Sequence, residues 1–139
     1  CTARKGEDMG RIVRTKASGL KSEEGEAYGF LDILVTVKVS GAQTSGRITI
    51  LDLLNPPGFS PPAHRHLMED EVHVISGLAI FFCDGETFEE FTAEAGTPAV
   101  THSLAAPGSI DFAAVGQAAA RHNIEILGPP PARAARAPT

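Results

Sequence analysis

At 139 residues and 42% hydrophobic content, the chain is long enough for one domain with its own core and too short for two of ordinary size. A formal charge of -5, with acidic runs at 69–71 and 86–94, argues against the clustered basic face that nucleic acid requires and leaves a small molecule as the expected partner. Two cysteines, Cys1 and Cys83, are too few for a disulfide framework or a four-thiolate site, and no apolar run is long enough to span a bilayer, so a cytoplasmic protein without a membrane partner is expected.

In chain order, residues 1–10 are polar and read as a flexible N-terminal extension, which sets the domain at 11–128. Residues 28–40 (YGFLDILVTVKVS) are rich in β-branched and apolar side chains without a helical stripe and predict one or two strands; 46–54 predict another. The segment 55–62 (NPPGFSPP) contains four prolines and one glycine and predicts a loop. Short strands are then expected over 71–75 and 78–83, with Asp84-Gly85 as a hairpin turn into a strand over 87–92. Further strands are expected over 100–104, 110–115 and 124–127, and only the alanine-rich 117–121 hints at helix. The tail 129–139, built of proline, alanine, arginine and threonine, predicts disorder. Eight to ten short strands with regular turn signals define an all-β sandwich or barrel of jelly-roll type.

The chemistry concentrates after the proline loop. His64 and His66 are two apart, which on a strand places both imidazoles on one face about 6–7 Å apart along the chain while Arg65 turns away. The acids Glu69, Asp70 and Glu71 follow at once, and imidazole with carboxylate is the donor set of a first-row divalent ion: Fe, Mn, Ni, Cu or Zn. His73 shares the alternation of Glu71, so it lies beside the site if Glu71 points inward and turns out if Asp70 is the ligand. Its expected role is proton transfer or a hydrogen bond to a ligand; core filling is the plainer reading. Phe81, Phe82, Phe88 and Phe91 are available to wall a pocket or simply to pack the core. No nucleophile elbow, phosphate loop or dinucleotide fingerprint competes.

Gly58, five residues, His64-x-His66, a nearby acid and Gly77 together resemble the first motif of the cupin superfamily, in particular its small single-domain, quercetin-dioxygenase-like members. The resemblance covers the central half of the chain. Asp70 fits the motif's spacing on both sides, whereas Glu71 supplies the usual glutamate and needs a one-residue bulge before Gly77. The second cupin motif is poorly kept: Gly96-Thr97-Pro98-Ala99-Val100-Thr101-His102 makes His102 the expected third imidazole, with His122-Asn123 as its competitor. The resemblance implies a double-stranded β-helix, a metal held by His64, His66, Glu71 and His102, and a homodimer built through 28–54; Glu71, and His73 from its place beside it, are the expected catalytic residues. It further implies dioxygenase-type oxidation of a metal-chelating enol or phenol. Lewis-acid isomerase, cyclase or lyase chemistry, or non-catalytic small-molecule binding, are the alternatives.

Overall fold

A computed structural model describes residues 19–21, 23–73, 78–82, 86–106, 108 and 110–131. The expected extension 1–10, both cysteines, the Asp84-Gly85 turn, the bulge before Gly77 and the tail from 132 onward lie outside the described residues.

Strands β1 (Ala27–Phe30) and β2 (Ile33–Val39) form an antiparallel hairpin whose two turn residues, Leu31 and Asp32, both adopt positive φ, at 49° and 65°. That handedness matches the twist of the strands it joins, which is why a two-residue hairpin adopts it even without glycine. A short 3-10 turn, Gly41–Thr44, is closed by Ser40 and Gln43 in a capping box and leads to β3 (Ile48–Leu54). The loop 55–62 follows as expected; Pro57-Gly58 forms its turn, with Gly58 at φ 81° and the Phe59 amide donating to the Pro56 carbonyl. Next come β4 (Ala63–His66), β5 (Asp70–His73) and β6 (Leu78–Phe82). A two-residue strand β7 (Thr97–Pro98) and β8 (Ile124–Gly128) complete the set.

The strands are antiparallel and form two sheets: a six-stranded one in the order β5-β6-β3-β2-β1-β7, and a ribbon of β4 with β8. Register decides which face each side chain takes. Val37 stands opposite Leu51, Leu51 opposite Ala79, Thr49 opposite Phe81, and Phe81 opposite Glu71. Period-two alternation carries Phe30, Ile33, Val35, Leu51, Ala79 and Phe81 to one buried face, with Glu71 beside them on the edge strand.

Two helices complete that core: one replaces an expected strand, and the other replaces the strand expected over 110–115 and takes in 117–121, where helix was expected. Residues 87–92 belong to α1 (Thr87–Ala95). Phe88 and Phe91 would face opposite sides of a strand but share one side of a helix, and Thr87, Phe88, Phe91 and Thr92 are the residues α1 buries. The segment 110–115 enters α2 (Phe112–Arg121), started by Asp111, whose carboxylate accepts from the Ala113 and Ala114 amides. Ala118 and Ala119, both buried, pack α2 into the common core with α1 and β8. The expected strand over 100–104 is irregular chain, with Val100 almost fully exposed. Among the described residues, the architecture is thus mostly antiparallel β with two short helices. Among the described residues, no helix is long and apolar enough to cross a membrane.

Candidate metal centre

Strand β4 is held to β8 by a ladder that sets His64 opposite Ile126 and His66 opposite Ile124, and the His66 ring meets Phe81 of the large sheet's buried face. Alternation turns Ala63 and Arg65 outward, where Arg65 meets Glu125 on the facing strand at 2.6 Å. His64 and His66 turn inward with ring centroids 5.2 Å apart. From the other side, register with Phe81 brings Glu71 to the same place, so that one donor atom from each of His64, His66 and Glu71 lies within 4.8 Å of the others. The alternative acid, Asp70, pairs with Phe82 and is exposed.

Both imidazoles are oriented by their Nδ1 atoms. His64 donates from Nδ1 to the Pro62 carbonyl at 2.7 Å, which leaves the lone pair on Nε2. His66 donates from Nδ1 to Glu69 Oε1, also at 2.7 Å. The His66 ring is tilted against the stacked pair Phe81 and Phe88, at centroid distances of 5.7 and 5.4 Å. Its Nε2 is buried and lies 3.3 Å from Glu71 Oε2 without hydrogen-bond geometry. Two ligands bound at about 2.1 Å to one ion and at right angles to each other sit about 3 Å apart, close to this separation. A buried nitrogen without a hydrogen-bond partner is a cost that a metal ion would remove, and here it faces a carboxylate and a second imidazole. The donor set therefore fits a divalent transition metal.

Glu69 is the contributor that motif spacing missed as a support. Its side chain is fully buried, and the amide of Phe88 in the first turn of α1 also favours its charge. Since Glu86 at the start of α1 makes no capping hydrogen bond, Glu69 links the imidazole of His66 to the helix N-terminus. The signal was present as the i, i+3 spacing of His66 and Glu69, which a reading focused on direct ligands passes over. Burial pulls the His66 pKa down, but the hydrogen bond to Glu69 and the nearby carboxylates of Glu69 and Glu71 outweigh it and raise the value from 6.5 to about 9. Burial pushes Glu69 above the usual carboxylate range, opposed by His66.

The other expected histidines stand elsewhere. The expected third imidazole, His102, is not brought to this group: β7 pairs with β1, so the chain after it runs along the opposite edge of the sheet and His102 Nε2 lies 3.1 Å from the Gly25 carbonyl. His122 ends α2 and is engaged by Glu94 at 2.5 Å and Glu90 at 3.7 Å. His73 stands opposite Ala79 in the β5–β6 ladder, and its side chain lies outside the described residues. Phe81 is core; Phe88 and Phe91 both pack the core and wall a pocket of about 100 Å³ that His64 and Glu71 also face.

No known protein family, no characterised protein and no solved structure matches this chain.

Proposed function

We propose that His64, His66 and Glu71 hold one divalent transition-metal ion and that the chain is a cupin-like, metal-dependent enzyme carrying out dioxygenase-type oxidation of a small organic substrate. The observation that carries the reading is the convergence of the buried Nε2 of His66, which forms no hydrogen bond and lies 3.3 Å from Glu71, with a second oriented imidazole. Two histidines and one carboxylate with positions left open are the donor set of non-haem iron oxygenases, which favours iron among Fe, Mn, Ni, Cu and Zn. Bound there, such an ion supplies Lewis acidity and the capacity to activate O₂.

The chain's own residues do the rest. The Pro62 carbonyl and Glu69 engage the two Nδ1 atoms, so that the Nε2 of His64, and that of His66 once it gives up its proton, are the atoms turned to an ion. His64 and Glu71 border the pocket, which lets a bound molecule approach the ligands while apolar walls limit water. Glu71 is also placed to accept a proton from a substrate hydroxyl entering that pocket. In a dioxygenation, O₂ is the oxidant and both of its atoms enter the substrate. The cupin likeness of the segment from Gly58 to Gly77, and a homodimer through residues 28–54, belong to the same reading; exposed Ile48 and Leu54 on β3 support the latter.

The test is anaerobic titration with Fe²⁺, followed by oxygen-uptake measurements with simple catechols and enediols. One ion per chain and substrate-dependent O₂ consumption are expected. Absence of stoichiometric metal would overturn the site. Metal binding with turnover but no O₂ uptake would favour the Lewis-acid isomerase or lyase alternative.

A further inference from the structure

The pocket beside the two histidines has walls of very uneven chemistry. Phe59 reaches it from the proline loop, Phe88 and Phe91 from α1, Val115 from α2 and Ile126 from β8. Apart from Asn55, His64 and Glu71, every described side chain lining it is apolar, and none carries a positive charge. Arg65, the cation of β4, is committed to Glu125 on the other face of the ribbon. The polar groups are also gathered at one end: His64 and Glu71 lie in the same cluster, so an entering molecule meets hydrogen-bonding and ligating groups there and hydrocarbon elsewhere.

From this asymmetry we infer that the pocket takes an uncharged, apolar molecule about one ring in size, which presents a single hydroxyl or carbonyl oxygen toward His64 and Glu71. The contact of that oxygen with a metal rests on the function proposed above; the choice of a neutral, apolar body does not. Size sets the first limit. The cavity is about 100 Å³, smaller than a dry cavity of ~150 Å³ with similar lining that accommodates benzene, so one ring is the upper bound. Charge sets the second. Two acids, Glu69 and Glu71, stand at the site and offset charge held there, which weakens its pull on an anion. Without an arginine or lysine on the described lining, a substrate carboxylate or phosphate buried against Phe88 and Phe91 would lose its hydration and gain no cationic side chain in return. Oxoacids and phosphorylated metabolites are thereby disfavoured, while phenols, small cyclic ketones and enols fit.

The experiment is calorimetric titration of the full chain with phenol and with benzoate, each in the presence and absence of Co²⁺, whose own binding is followed by its visible spectrum. Phenol should bind at one per chain, with benzoate at least roughly 30-fold weaker, the cost of stranding one charge in the pocket. Val115→Phe and, independently, Ile126→Trp should weaken phenol about 10-fold or more while Co²⁺ binding stays unchanged, because both side chains line the pocket and neither belongs to the ligand cluster. Benzoate binding as tightly as phenol, or phenol affinity unmoved in both variants, would overturn the inference. Co²⁺ binding with no phenol binding would overturn it too, while leaving the metal site standing. Phenol binding with that selectivity to a chain that refuses Co²⁺ would support the pocket and remove the metal.

Discussion

Two histidines in this molecule each sit between two carboxylates, and they are put to different uses. His66 lies between Glu69 and Glu71 under the core aromatics, with its side chain only 7% exposed. His122 lies between Glu90 and Glu94 at the end of α2, where Glu94 is also engaged by Arg121 and is 40% exposed. At the surface, the partners and solvent satisfy every group, and the cluster is a helix-terminal charge network. Within the core, one imidazole nitrogen is left without a hydrogen bond and a second oriented imidazole adjoins it. Identical residue types thus form a candidate ligand cluster where water is excluded, and a solvated charge network where it is not.

Four perturbations sharpen or break this contrast. The largest effect is expected from the double variant His64→Ala/His66→Ala, which should lower metal affinity more than ~100-fold, beyond the range typical of groups that only support a ligand. Circular dichroism should show the β fold retained, since the core is built from residues that do not depend on the ion. Stoichiometric metal in that variant would show that the buried cluster is not the site.

Glu69→Gln should come next, with metal affinity reduced about 10–100-fold because the amide supports His66 without charge. Competitive chelator titration would measure it, and an unchanged affinity would mean that the buried carboxylate serves only the N-terminus of α1.

Metal-free protein should lose stability as pH rises. His66 has a folded pKa of about 9 against 6.5 when unperturbed, so its contribution is fully present below 6.5 and is lost as pH passes through about 9. Glu69, also raised, acts in the same direction at lower pH. A decline of roughly 1–3 kcal/mol between pH 6.5 and 9 is expected from chemical denaturation. Metal affinity should increase across the same interval, because the ion competes with the proton on His66. A flat stability profile would contradict the described environment of His66.

The smallest effect belongs to the surface cluster: His122→Ala and Glu94→Gln should leave metal stoichiometry and affinity unchanged. A loss of metal in either variant would exchange the roles assigned to the two clusters.

The strands around 28–54 were legible because β-branched and apolar runs between glycine and proline punctuation have few other stable arrangements. The HRH spacing and the acid near it were legible for a similar reason, since alternation alone places two imidazoles on one face. The helices were harder to see. A hairpin-like Asp-Gly signal preceded Phe88 and Phe91, whose three-residue spacing fits only a helix face, and the buried alanines of α2 give a weak apolar signal for a segment that is nevertheless packed. His102 was placed by motif analogy, and the pairing of β7 with β1 sends it to another edge of the sheet.

The sequence by itself determined the β-rich character, the proline loop and the pair of imidazoles, because these follow from local sterics and a period of two. Only the tertiary structure decided that Glu71 rather than Asp70 completes the cluster, that Glu69 supports His66, and that α1, α2 and β8 close an apolar pocket over it. Those outcomes depend on strand register and on burial, which arise from contacts between residues far apart in the chain.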